Sequence, residues 1–73
     1  MGPDKEYDII FARGTAHSFS ASNLEAAKNY IFRKFSQEQL LGSEIYEVKS
    51  ILKVTLHSYD AIDSFYKNAD RML

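Results

Sequence analysis

Apolar residues recur with a period of two at the start of the chain, with a helical period in its middle, again with a period of two, and finally with a helical period. Tyr7 to Ala12 reads as a strand. Tyr7, Ile9 and Phe11 point one way and Asp8, Ile10 and Ala12 the other, so both sides carry apolar weight, as in a central strand. Arg13-Gly14 interrupts the run where a hairpin needs a glycine with positive φ, and Thr15 to Ala21 is predicted to return as a second strand. Thr15, His17, Phe19 and Ala21 share one face of it, while Ala16, Ser18 and Ser20 face water. An ordered loop is the competing reading of these residues.

Ser22 to Phe35 carries the strongest signal. Ser22 followed three residues later by Glu25 reads as a capping box, starting a helix at Asn23. Leu24, Ala27, Ile31 and Phe35 form one stripe, flanked by Tyr30 and Phe32, opposite Glu25, Asn29, Arg33 and Ser36. The helix is expected to end or tighten between Gln37 and Gln39. Gly42 suits a left-handed turn, with Leu40 and Leu41 folding back over the core edge.

From Ile45 to Tyr59 the period is two again. Tyr46, Val48, Ser50, Leu52, Val54, Leu56 and Ser58 make one row, expected to be core. Ile45, Glu47, Lys49, Ile51, Lys53, Thr55, His57 and Tyr59 make the other, expected to be mostly solvated. No Gly, Pro or Asn-Gly marks a tight hairpin, so the run reads as one long strand, or as two segments kinked near Ser50. A last helix is predicted from Ala61 to Met72, with Asp60 as N-cap, an Asp63–Lys67 pair, and a face of Ile62, Phe65, Tyr66, Ala69, Met72 and Leu73. The order β-β-α-β-α defines an α+β fold: a small antiparallel sheet, its long third strand bent in two on the second reading, with two helices on one face. Residues 1–73 are read as one domain, with 1–6 as a flexible lead-in.

Composition narrows the classes. Seventy-three residues hold one small core, and with no cysteine neither disulfides nor thiolate metal sites supplement it. A net charge of −1 argues against a strongly basic nucleic-acid binder and against an acidic mimic of DNA. The apolar runs are too short to span a bilayer and the polar start lacks a signal-peptide core, so a cytoplasmic protein without a membrane role is expected.

Candidate chemistry is sparse. His17 and His57, with Asp60 or Glu44, would make a metal or acid/base site only if their strands were neighbours, and neither lies in a ligand-spaced motif. No serine sits in Gly-x-Ser-x-Gly, and the glycines at 2, 14 and 42 are too scattered to cradle a phosphate. The chain therefore reads as a non-enzyme with no cofactor, no catalytic residue and no metal site. A nucleic-acid reading rests on Lys28, Arg33, Lys34, Lys49 and Lys53 as a basic strip edged by Tyr30 and Phe32.

The aromatic content of 14% favours a different reading, since ten such rings are more than one sheet and two short helices readily hide. Tyr30, Phe32 and Arg33, Lys49, Ile51 and Lys53, and Tyr59 and Tyr66 are the candidate contacts for a larger protein partner, with homodimerisation as a second mode. Ile51 is the informative one, an apolar residue amid a charged row. The small size, missing cysteines and absent catalytic motif resemble phage-encoded accessory proteins, inhibitors of host machinery among them. That resemblance implies an inhibitor or regulator that occupies a surface on a larger protein.

Overall fold

The computed structural model describes residues 4–68. Strands β1 (Lys5–Ile10) and β2 (Ala16–Ala21) lead into helix α1 (Leu24–Lys34) and a one-turn helix α2 (Gln37–Leu40). Strands β3 (Ser43–Glu47) and β4 (Lys53–Leu56) follow, then helix α3 (Tyr59–Asn68). The strands form one antiparallel sheet in the order β2-β1-β3-β4. The fold is α+β, as the sequence predicts. β1 starts before Tyr7: Lys5 and Glu6, expected in a flexible lead-in, pair with Ala21 and Ser20.

The β1–β2 hairpin closes as expected on a glycine. The Phe11 amide donates to the Thr15 carbonyl and the Gly14 amide to the Phe11 carbonyl, both at 2.8 Å, with Gly14 at φ 99°. α1 begins one residue later than the capping-box reading. Asn23, not Ser22, is the cap, in extended backbone with its side chain accepting from the Ala26 amide at 2.9 Å. Asn and Ser cap about equally well, and Ser22 is needed to leave β2, which runs through Ala21. The capping box lies further on, where Ser36 and Gln39 satisfy each other's amides and start α2. Leu40 then reaches the core, and Gly42 turns the chain at φ 82° with its Cα so close to Ala12 that an added Cβ would sit 3.0 Å from that methyl.

The largest departure from expectation is the phase of the 45–59 run. The alternation is two strands joined by a hairpin, and the connection reverses which parity faces inward. Ile45 pairs with Val54 and Ser43 with Leu56, so odd residues of β3 and even residues of β4 share the core face. Ile45 is fully buried, Tyr46 half-buried on the opposite face, and Val48 exposed. The hairpin needs no glycine because Lys49 itself takes φ 64°. The Ser50 amide donates to the Glu47 carbonyl at 3.2 Å to close the turn.

α3 starts two residues before the expected Ala61. Ser58 rather than Asp60 caps it, with Oγ accepting from the Ala61 amide at 3.1 Å. Asp63 and Lys67 form the expected ion pair at 3.2 Å, whereas Ala69, Met72 and Leu73 lie outside the described residues. All three helices cover one sheet face. The main core joins Ile9, Ile31, Leu40, Ile45, Leu56, Ile62 and Phe65, and a second cluster joins Tyr7, Ala21 and Ala27.

The phase reversal has a direct energetic signature. Ile45→Val should lower stability by about 0.5–1.5 kcal/mol, as removal of a buried methylene group does, while Val48→Ala should change it by less than about 0.5 kcal/mol. Urea denaturation of the two variants checks this. A continuous strand with Val48 inside would give the opposite ranking.

Candidate protein-contact surface

The sequence-selected residues separate into distinct places. At the β3–β4 tip, Leu52 turns inward and packs against the Tyr7, Ala21 and Ala27 cluster, and the alternation then throws Ile51 outward. Ile51 is fully exposed, at 101%, and Val48, on the other arm of the hairpin, is 37% exposed. The turn is fixed from both sides. The Val48 amide donates to the Glu6 carbonyl at 2.8 Å, and the Leu52 amide to Ser50 Oγ at 3.1 Å. Lys49 lies in the turn itself. Lys53 points to the helix-free sheet face, 4.0 Å from Glu44 and over the Tyr46 ring at 5.8 Å.

Beneath the hairpin base, Glu47 accepts from the Tyr7 hydroxyl at 3.1 Å and lies 3.9 Å from Lys5 Nζ. Burial, then the hydrogen bond to Glu47 and its negative charge, pushes the Tyr7 phenol from 10.0 up to about 12. The Tyr46 phenol is raised by its hydrogen bond to Glu44, then by desolvation and the carboxylate charge.

A second place is the seam between α1 and α3. Phe32 meets Tyr66 with ring centroids 4.7 Å apart, and Asn29, Phe32, Arg33 and Tyr66 line a cleft of about 270 Å³. Under it lies Lys28, which departs from the expected basic strip. Its side chain is fully buried, with Nζ 5.5 Å from the Phe65 centroid and 5.7 Å from that of Tyr66. It has no hydrogen-bond partner among the described residues. On the opposite flank of α1, Tyr30 stacks on Phe19 at 4.2 Å and its hydroxyl is 2.8 Å from His17 Nε2. Tyr59 opens α3, half-exposed and remote from this stack in sequence and sheet order.

The strip is thereby divided. Lys28 is covered, Arg33 and Lys34 end α1, Lys49 sits at the hairpin whose base contacts the other end of that helix, and Lys53 faces the open side of the sheet. His17 and the segment bearing His57 lie at opposite sheet edges with β1 and β3 between them. No group of three His, Asp or Glu able to hold a metal occurs among the described residues. A further cleft of about 360 Å³ opens where the β1–β2 turn meets the α1–α2 junction, with Arg13 and Glu38 on its wall and Phe11 and Phe35 in its floor. No described helix is long and apolar enough to cross a membrane. Together these features define the class: a two-layer α+β domain whose outward apolar side chains lie at the β3–β4 hairpin, at the Phe32–Tyr66 seam and at Tyr59. The chain matches no protein-family model, no curated protein and no solved structure.

Sequence reasoning placed Val48 in the core row, where the structure exposes it, and took Lys28 for a surface cation. The signal for Lys28 was its position one residue from Ala27 on the helix, on the side that faces α3.

Two outcomes follow from this chemistry. Lys28→Met should raise stability by about 1 kcal/mol, because relief of a buried ammonium with no hydrogen-bond partner among the described residues exceeds the loss of its ring contacts. Thermal melting at neutral pH checks it. The raised phenol of Tyr7 favours its protonated form in the fold, so its contribution is complete below pH 10.0 and is lost as pH rises toward about 12. Tyr7→Phe should flatten the alkaline limb of a stability-against-pH curve across that window.

Proposed function

We propose that this chain is a non-enzymatic protein-binding module whose principal contact is the β3–β4 hairpin tip, acting as an inhibitor or regulator by occupying a surface on a larger protein. One observation carries the reading. Ile51, a β-branched apolar side chain, is held fully outside the protein next to Leu52, which is half-buried against the Tyr7, Ala21 and Ala27 cluster. Nothing in the domain gains from that placement, since a serine or lysine there would leave the packing untouched. A rigid protruding isoleucine flanked by Lys49 and Lys53 suits an apolar recess rimmed by carboxylates, with little conformational entropy to lose on docking. The dispersal of the basic residues argues against the nucleic-acid reading, which needs them along one groove.

Affinity capture from host lysate with parent chain and Ile51→Asp side by side tests the proposal. A protein retained by the parent should bind Ile51→Asp about thirtyfold or more weakly, the usual loss at an interface anchor, with unchanged thermal stability of the domain. Equal retention by both would reject the hairpin as the contact. Retention on DNA or RNA that falls steeply with salt would favour the basic residues instead.

A further inference from the structure

We propose that β2 is a self-association edge: two copies of this chain pair antiparallel through Ala16, Ser18 and Ser20 about a two-fold axis at Ser18, joining their sheets into one. β2 is an outer strand of the sheet. The 2.8 Å bond from the Phe11 amide to the Thr15 carbonyl sets the hydrogen-bonding phase of the β1–β2 ladder. Odd residues of β2 therefore serve β1. The Val48-to-Glu6 bond agrees, since it leaves the even residues of β1 to β3. The amides and carbonyls of Ala16, Ser18 and Ser20 thus point away from the sheet, in a strand paired without a bulge along all of its length.

Sheet edges are ordinarily blunted by charge, proline, bulges or shortness. β4, the other edge, is four residues long, begins at Lys53 and has α3 packed beside it. β2 is six residues long and unbulged, α1 packs only on its helix-side face, and no Asp, Glu, Lys, Arg or Pro occurs from Gly14 to Leu24. The same neutrality selects the occupant. A two-fold at Ser18 sets Ala16 against Ser20 of the other copy, small uncharged side chains without like-charge repulsion. On the helix side it sets His17 opposite Phe19 of the other copy, at positions where antiparallel side chains approach most closely. Within one copy these rings already stack, His17 on Phe19 at 6.2 Å and on Tyr30 at 5.9 Å, so pairing prolongs an existing aromatic row. The hairpin tip takes no part, so this inference stands apart from the proposed partner contact.

Sedimentation equilibrium of the full chain from about 10 μM to about 1 mM should show a mass rising from monomer to dimer. Ser18→Pro should raise the dissociation constant at least about tenfold by removing from each copy the outward amide that the pairing uses and the β1–β2 ladder does not, with an unchanged circular dichroism spectrum. The absence of native cysteine allows a positional check. On oxidation, Ser18→Cys should cross-link to a dimer, because directly opposed Cα atoms lie about 5.5 Å apart, within disulfide reach, whereas Ser20→Cys should not. Three results would overturn the proposal: a parent chain monomeric over the whole range, cross-linking through Ser20→Cys but not Ser18→Cys, or edge amides protected only when a different protein is added.

Discussion

The structure depends on the register between β3 and β4. Pairing Ile45 with Val54 sets an odd-numbered residue beside an even-numbered one on the same sheet face, and so gathers Ser43, Ile45, Val54 and Leu56 beneath the helices. Shifting one strand by a single residue would turn its apolar set outward, where no helix lies. The core that results is small. Besides Ile45 and Leu56 it contains Ile9 from β1, Ile31 from α1, Leu40 from α2, and Ile62 and Phe65 from α3, so every element but β2 contributes one or two buried side chains and none can be lost cheaply. The turn that makes the register possible uses Lys49 in the left-handed region, a conformation uncommon outside glycine and asparagine. The same geometry fixes Leu52 inward and Ile51 outward. Fold and candidate contact are thus two results of one pairing.

The two sides of the sheet divide the labour. On the covered side, burial extends to Lys28, an ammonium lying against Phe65 and Tyr66. Lysine is among the residues least often buried without a partner, and its presence there is a local conflict within an otherwise apolar interface between α1 and α3. On the open side, Asp8 accepts from Ser18 at 2.7 Å, Tyr46 donates to Glu44, and Lys53 lies near that same carboxylate. Several of its polar groups are engaged with one another, within a strand or across two. That leaves the periphery as the part of the molecule with unspent interactions: the hairpin tip, the Phe32–Tyr66 seam and the bare backbone of β2.

Much of the architecture was legible in the sequence because period and punctuation agreed. Gly14 and Gly42 stand where turns need positive φ, and the Leu24, Ala27, Ile31, Phe35 stripe is the face that α1 presents to the sheet. Boundaries shifted by one or two residues where Ser, Asn and Asp compete as caps, as at Asn23 and Ser58. The hairpin at 47–52 was illegible for a physical reason. Its turn is made by Lys and Ser in place of Gly or Asn, and the apolar residues on both flanks fit an unbroken alternation that no local preference contradicts. Lys28 was misplaced because helical periodicity identifies a stripe facing the sheet but not the flank covered by a second helix. Ile51 stood out in sequence as an apolar residue among charges, and its full exposure follows from the hairpin rather than from the continuous row.

The most direct measurement is the pattern of cross-strand contacts between Hα protons in solution. In this register Tyr46 lies opposite Lys53 and Glu44 opposite Thr55, at positions where antiparallel Hα protons face each other. The account predicts strong nuclear Overhauser effects between those two pairs, together with slow exchange of the Val48 amide, which is bonded to Glu6. Sequential contacts alone from Ile45 to Tyr59, with no cross-strand signal, would mean one uninterrupted strand and would contradict the account at its base.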